Sequence, residues 1–316
     1  MRFALVGGVQ SAKVALDVLI REGADLVGVL GYRPSAPEGV SGYVDLAQEA
    51  RRRRVENVAE FTSIREPAVL DILRTWAPDV LLVVGLSQLV PEEVRRTARR
   101  AALGFHPTAL PRGRGRAPLA WLVLTGEPGA ATLFELSDGA DEGDILVQVP
   151  YPVYPTDHAA DVLQRCLTAL DEALTLLLAQ ARGAGWQATP QRHSEATYWG
   201  RRRPEDGRID WSESAERVDA LVRAASEPHP GAYTVTPSGH RLTFLRSHGA
   251  TSRYLGVPGR VLELGGGTVV VACGTSAVRL GGLLISGDGP YQLRVGASLC
   301  LQRADLDERL GRVWNG

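Results

Sequence analysis

Short apolar runs alternating with amphipathic stretches through the first hundred residues set the strongest limit on how this chain can fold. Residues 2–6 and 25–30 are apolar runs, and Ser11 between them is placed to cap a helix reaching Ile20. Helices are predicted over residues 43–53 and 63–76, the second from the capping-box spacing of Ser63 and Glu66. Residues 79–84 then form a fully apolar strand and residues 101–106 another. Strands this short and this apolar, separated by helices, must be covered on both faces. The expectation is an α/β core, a doubly wound and mostly parallel sheet.

The pattern changes further along. Val162, Leu163, Cys166, Leu167, Leu170, Leu174 and Leu177 share a helical period, predicting one long amphipathic helix over residues 161–181 that Gly183, Gly185 and Pro190 terminate. The polar, Arg-rich residues 191–210 read as a linker. After a helix at 214–225, short β-branched runs at 233–236, 242–245, 260–264, 268–272 and 277–280 alternate with glycine-rich turns, the texture of a small antiparallel barrel. A chain of 316 residues suits such a division: residues 1–190 as the first domain, 191–210 as linker and 211–316 as the second.

Composition narrows the function. A formal net charge of −1 gives no general attraction to nucleic acid or acidic membrane, and no apolar stretch reaches the length of a membrane span. Cys166, Cys273 and Cys300 lie far apart without zinc-binding spacing, so no metal site is expected and a reducing, cytoplasmic setting is. Gly7 and Gly8 follow the first strand but lack the GxGxxG spacing, and no acidic residue closes the second strand, which argues against a dinucleotide. The Arg51 to Arg54 run continues a helix carrying Asp45 and Glu49 and reads as a solvated face.

Two segments carry chemistry. Residues 104–118, GFHPTALPRGRGRAP, leave the carboxyl end of an apolar strand, where open α/β sheets place ligands, and set His106 before a stiff basic loop. Residues 137–144, SDGADEGD, form an acidic, glycine-rich turn between strand-like runs. Acyl transfer needs a base near neutrality, and a histidine supplies one when a carboxylate fixes its tautomer. His106 with Asp141 meets that need.

These segments resemble the folate-dependent formyltransferases. The 106–118 loop is similar to the family's His-x-Ser-Leu-Leu-Pro-x-x-Arg-Gly loop, ADEGDIL to its Asp-x-Gly-Asp turn, and GRRRPEDGRIDW with EPHPGAY to its connection and the opening of its C-terminal domain. The resemblance implies a Rossmann-like domain that binds 10-formyltetrahydrofolate, followed by an OB-like barrel. It implies catalytic roles for His106 and Asp141, and a pterin site along Val84, Leu86, Ser87, Gln88, Leu89 and Val90 with the turn Ser137, Asp138, Gly139 and Asp141. Gly104 departs from the family, whose transferases carry Asn there; its amide would donate to the oxyanion, an interaction worth about 3 kcal/mol in comparable enzymes. The family's hydrolases also lack that Asn, so hydrolysis of formyltetrahydrofolate stays open, as does a binder without turnover.

The acceptor is expected to be a small amine. From Glu205 to Gly316 twelve arginines oppose twelve acidic residues, and residues 31–42 lack a basic insertion, so methionyl-tRNA or other nucleic acid is not the expected partner. Residues 42–47, GYVDLA, resemble formyltransferases acting on nucleotide-linked amino sugars; an amino-acid-derived amine is the other candidate. Arg112, Arg114 and Arg116 are candidates for anionic parts of substrate or equally solvated loop residues. A homodimer is compatible with the chain.

Overall fold

The computed structural model describes residues 1–183 and 185–300. They divide into two units, one of Met1–Val153 with Asp161–Arg201, the other of Tyr154–Ala160 with the residues from Arg202 on.

The first unit is built on β1 (Arg2–Gly7), α1 (Gln10–Arg21), β2 (Asp25–Tyr32), α2 (Leu46–Arg52), β3 (Val58–Phe61), α3 (Pro67–Trp76), β4 (Val80–Val84), α4 (Glu92–Arg95), β5 (Ala101–Thr108), β6 (Arg114–Gly115), α5 (Pro118–Thr125), β7 (Gly129–Glu135), β8 (Ile145–Tyr151), α6 (Ala159–Arg182) and β9 (Tyr198–Trp199). Seven strands form one sheet in the order β3-β2-β1-β4-β5-β7-β8. The first five run parallel, while β7 and β8 are antiparallel additions. This is the expected Rossmann-like, mostly parallel sheet. Its strand order reverses between β1 and β4, and the crevice at the carboxyl ends of those strands is where such sheets take ligands.

Core packing follows from the apolar periods. All five residues of β4 are buried, as a strand covered on both faces requires. On one face Ala4, Val6, Leu30, Leu81 and Val83 pack with Val69 and Leu73 of α3 and Val94 of α4. α1 buries Ala12, Ala15, Leu16 and Leu19, and Arg21 at its end grips Asp171 of α6 through two bonds of 2.8 and 2.9 Å.

Several element ends differ from the sequence reading. α1 begins at Gln10, so Ser11 lies inside the helix and caps nothing. α2 starts at Leu46 because Asp45 is its cap, accepting from Gln48 N–H at 2.8 Å. α3 starts at Pro67 rather than at residue 63: Pro suits the first helical position, and it holds Glu66 extended at ψ 132°. The Glu66 carboxylate still closes half of the expected box, accepting from Ser63 N–H at 2.6 Å. Gly7 is explained by packing, since a Cβ there would stand 2.1 Å from the Val84 carbonyl oxygen and 2.5 Å from Ala12.

The second unit carries α7 (Ala215–Ala225), capped by Ser214, and the strands β10 (Ala232–Val235), β11 (Arg241–Thr251), β12 (Val261–Gly265), β13 (Thr268–Ala272) and β14 (Ala277–Ser286). They form one antiparallel sheet in the order β10-β11-β14-β13-β12. Among the described residues its edges are β10 and β12, and the expected small antiparallel β domain is present as these five strands. Val218 and Val222 of α7 pack on it with Trp211, Phe244, Val271 and Leu280. The Trp211 indole meets Phe244 edge-on and donates to Thr234 at 3.2 Å, which satisfies its buried N–H. Among the described residues no helix is long and apolar enough to cross a membrane.

Candidate active site

His106 comes from β5, a strand that pairs with parallel β4 on one side and antiparallel β7 on the other. Its ring is 5% exposed. The Nε2–H donates to the Gly113 carbonyl at 2.8 Å, so Nε2 carries a hydrogen, while Nδ1 faces Asp141 Oδ2 at 3.5 Å. Sequence reasoning named both residues, 35 positions apart, and the fold brings them together.

Asp141 is held in an unusual way. Its backbone takes φ +58°, the left-handed region, which costs a residue other than glycine about 1–3 kcal/mol. Its carboxylate accepts from Gly115 N–H at 2.8 Å. Gly115 itself has φ +108° and lies where a Cβ would be 2.5 Å from the Trp199 carbonyl oxygen, so only glycine lets that N–H approach. The turn before Asp141 is pinned by Arg95 of α4, which donates to Leu136 O at 3.2 Å and pairs with Asp138. Ser137 donates to Gly139 O at 3.3 Å.

The residues after β4 meet the loop that follows β5. Arg116 donates to Ser87 O at 3.2 Å, tying the two loops. Leu86 and Val90 pack with Leu136 against the same apolar cluster as β1 and β4, and Leu89 is 63% exposed. Val84 ends the buried strand. Gln88 is engaged inward: its amide accepts from Ile64 N–H at 2.8 Å and donates to Thr62 O at 2.9 Å, so it anchors the β3–α3 loop.

The three arginines part company. Arg112 and Arg116 are exposed. Arg114, read as a candidate for contact with substrate, is wholly buried: its guanidinium reaches Gln191 Oε1 at 2.7 and 3.2 Å, the Tyr198 hydroxyl at 3.0 Å, His193 Nδ1 at 3.2 Å and Glu142 at 3.5 Å. Its donors are spent inside the protein. Gly104 lies on β5 opposite Phe134, with Leu136 also against it.

Residues 191–201, expected as linker, belong to the first unit and complete the site. β9 pairs in parallel with β6; Thr197 accepts from Gly113 N–H at 2.8 Å through its hydroxyl and from Arg114 N–H at 3.0 Å through its carbonyl. Gln191 donates to Asp141 O at 3.0 Å and Gly143 O at 2.6 Å. The one signal available in the sequence was the aromatic pair Tyr198-Trp199 inside an otherwise polar stretch.

The solved structures similar to this chain include HypX from Aquifex aeolicus in complex with tetrahydrofolic acid, at 21% identity and TM-score 0.63 over 89% of this chain; the chain spans 43% of HypX. An N-formyltransferase from Helicobacter canadensis in complex with folinic acid and dTDP-3-aminofucose matches at 14% identity and TM-score 0.62, covering 89% of this chain and 99% of that one. Methionyl-tRNA formyltransferase from Clostridium thermocellum matches at 18% and 0.58, covering 89% and 98%. At these identities the likeness is one of fold. Residues 11–178 match the formyl transferase family and residues 202–294 its C-terminal domain. With both parts matched in order, the chain belongs to the formyl transferase family.

Proposed function

We propose that the chain transfers a formyl group from 10-formyltetrahydrofolate to the primary amine of a small molecule, a nucleotide-linked amino sugar or an amino-acid-derived metabolite. The observation that carries it is the pairing of His106 with Asp141 at the end of β5, whose following loop meets the segment after β4. The residues there suit a folate: Leu86, Val90 and Leu136 offer apolar surface to a flat pterin, and the backbone of residues 84–90 and 137–141 offers hydrogen-bonding groups. When bound, the folate supplies an activated formyl carbon.

The chain's own groups would handle the proton. Because Nε2–H of His106 is committed to Gly113, Nδ1 is the ring atom left to receive a proton from the attacking amine. The charge so formed would lie against the Asp141 carboxylate, which the Gly115 N–H holds in place. Asp141 both steadies that charge and helps return the proton to the departing folate nitrogen.

Support for a small acceptor comes from residues 42–44. Gly42 O accepts from Gln10 N–H and Gly8 O from Val44 N–H, each at 3.0 Å, and Tyr43 bridges to Val9. The stretch that resembles the amino-sugar enzymes therefore covers the β1–α1 turn, at the crevice where the strand order reverses. Methionyl-tRNA would call for a basic excess, whereas residues 205–316 set twelve arginines against twelve acidic residues.

The test is incubation of the purified protein with 10-formyltetrahydrofolate and a panel of nucleotide-linked amino sugars and amino-acid-derived amines, following formyl-amine and formate separately. Amine-dependent formyl-amine is the expected product. Equal formate release with and without every amine would overturn transfer in favour of hydrolysis, the second reading, which the lack of any side-chain amide at Gly104 favours.

A further inference from the structure

We infer that Gln191 is a positioning residue for Asp141, fixing the carboxylate through the backbone of the turn that bears it, with the buried Arg114 as its anchor. This rests on the role proposed above for Asp141.

Three observations converge. Gln191 is 6% exposed, and its one side-chain amide works in both directions: the NH2 donates to Asp141 O and Gly143 O, while Oε1 accepts two bonds from Arg114. Asp141 sits in the left-handed region, a conformation that persists only where surrounding bonds over-determine it. Two such bonds come from Gln191, one on either side of Glu142. Arg114, for its part, adjoins Gly115, whose N–H holds the carboxylate itself. Gln191 thus ties the backbone of Asp141 to the residue next to the donor on its side chain, and so sets the distance from the carboxylate to His106 Nδ1.

The chemistry dictates glutamine. The residue must donate twice to carbonyls and accept twice from a guanidinium, and neither a carboxylate nor a second cation does both. A carboxylate would bind Arg114 at least as well, yet would face two carbonyl oxygens with nothing to donate.

That difference supplies the test. Gln191→Glu keeps the volume and the Arg114 contact but replaces the two donated bonds with a negative charge; Gln191→Leu removes the same bonds without adding charge, so an effect shared by both variants belongs to the lost bonds. Two measurements are made on the whole chain. In the first, kcat and KM for formyl transfer are followed with pH. A fall in kcat on the order of tenfold to a hundredfold is expected, the cost of about 1 Å of misplacement, with KM for the folate little changed and an altered pH profile. In the second, the Gly115 amide proton is followed by NMR, since its shift reports the Asp141 carboxylate whether or not formyl transfer is the reaction. Movement of that resonance, with the loss in kcat, supports the inference. A Gly115 resonance and a kcat–pH profile both unchanged in a folded variant overturn it. A parent protein inactive with every amine would instead count against the proposed function, and the Gly115 shift alone would then decide the positioning role.

Discussion

Phe134 stands where a side chain at Gly104 would have to grow. The two residues are register partners across β5 and β7, and a Cβ on Gly104 would lie 2.9 Å from the ring's Cζ and 2.7 Å from a methyl of Leu136. Apolar atoms of Phe134 and Leu136 therefore occupy the space that a side chain at this position would need. Gly104→Asn is expected to lower stability by about 1–3 kcal/mol through overpacking and not to raise transfer. The second change Leu136→Ala should recover part of that loss. Chemical denaturation of the single and double variants checks both statements; an Asn variant as stable as the parent would contradict the packing.

His106→Gln should lower formyl transfer by about 10²–10⁴-fold, the usual contribution of a general base. Glutamine is preferred to alanine because the ring is buried, and emptying its place would add a cavity cost that confuses the reading. Asp141→Asn should keep the Gly115 bond and folate affinity while kcat falls severely. Single-turnover rates with a binding measurement separate the two effects, and an Asn variant with parental kcat would give Asp141 a purely structural role.

Burial pushes the His229 imidazole below its ordinary value, and the charge of Arg202 adds to the effect. The folded second unit thus refuses a proton that the unfolded chain accepts. Stability from this group is present above the ordinary imidazole pKa and is lost as pH falls below about 6.5. Thermal melts between pH 5 and 8 should show that decline, and His229→Gln should flatten it. A variant with an undiminished slope would assign the acid sensitivity elsewhere.

A fragment of residues 1–201 should fold cooperatively and keep the His106–Asp141 pair, whereas one of residues 1–190 should not keep it. The longer fragment retains Gln191, Thr197 and Trp199, which close the two loops. Circular dichroism and folate binding compare the two, and equal behaviour would show that residues 191–201 are dispensable.

The sheet was legible because burial on both faces leaves uninterrupted apolar runs such as that of β4, and α7 because Ser214 caps an evident period. β3 was missed: four residues with Glu60 among them make too short a run to stand out. α5 was missed because it opens at Pro118, directly after a loop of arginine and glycine. The closeness of His106 to Asp141, 3.5 Å between Nδ1 and Oδ2, could be expected because a histidine and a carboxylate are suited to each other. Arg114 could not be separated from Arg112 and Arg116, because burial depends on a partner segment more than seventy residues away, Gln191 and Tyr198. Gln191 looked like linker for the same reason: polar residues that fill a buried network and polar residues that face water have one composition.

The pairing of β6 with β9 also imposes an order in time. Gly113 and Thr197 are 84 residues apart. At about 5–20 residues per second of synthesis, roughly 4 to 17 seconds separate the making of His106's own loop from the making of the strand that clasps it. During that interval the nascent chain carries both His106 and Asp141 without the clasp that holds their loops, so a growing polypeptide would complete their arrangement only after the first unit is wholly made.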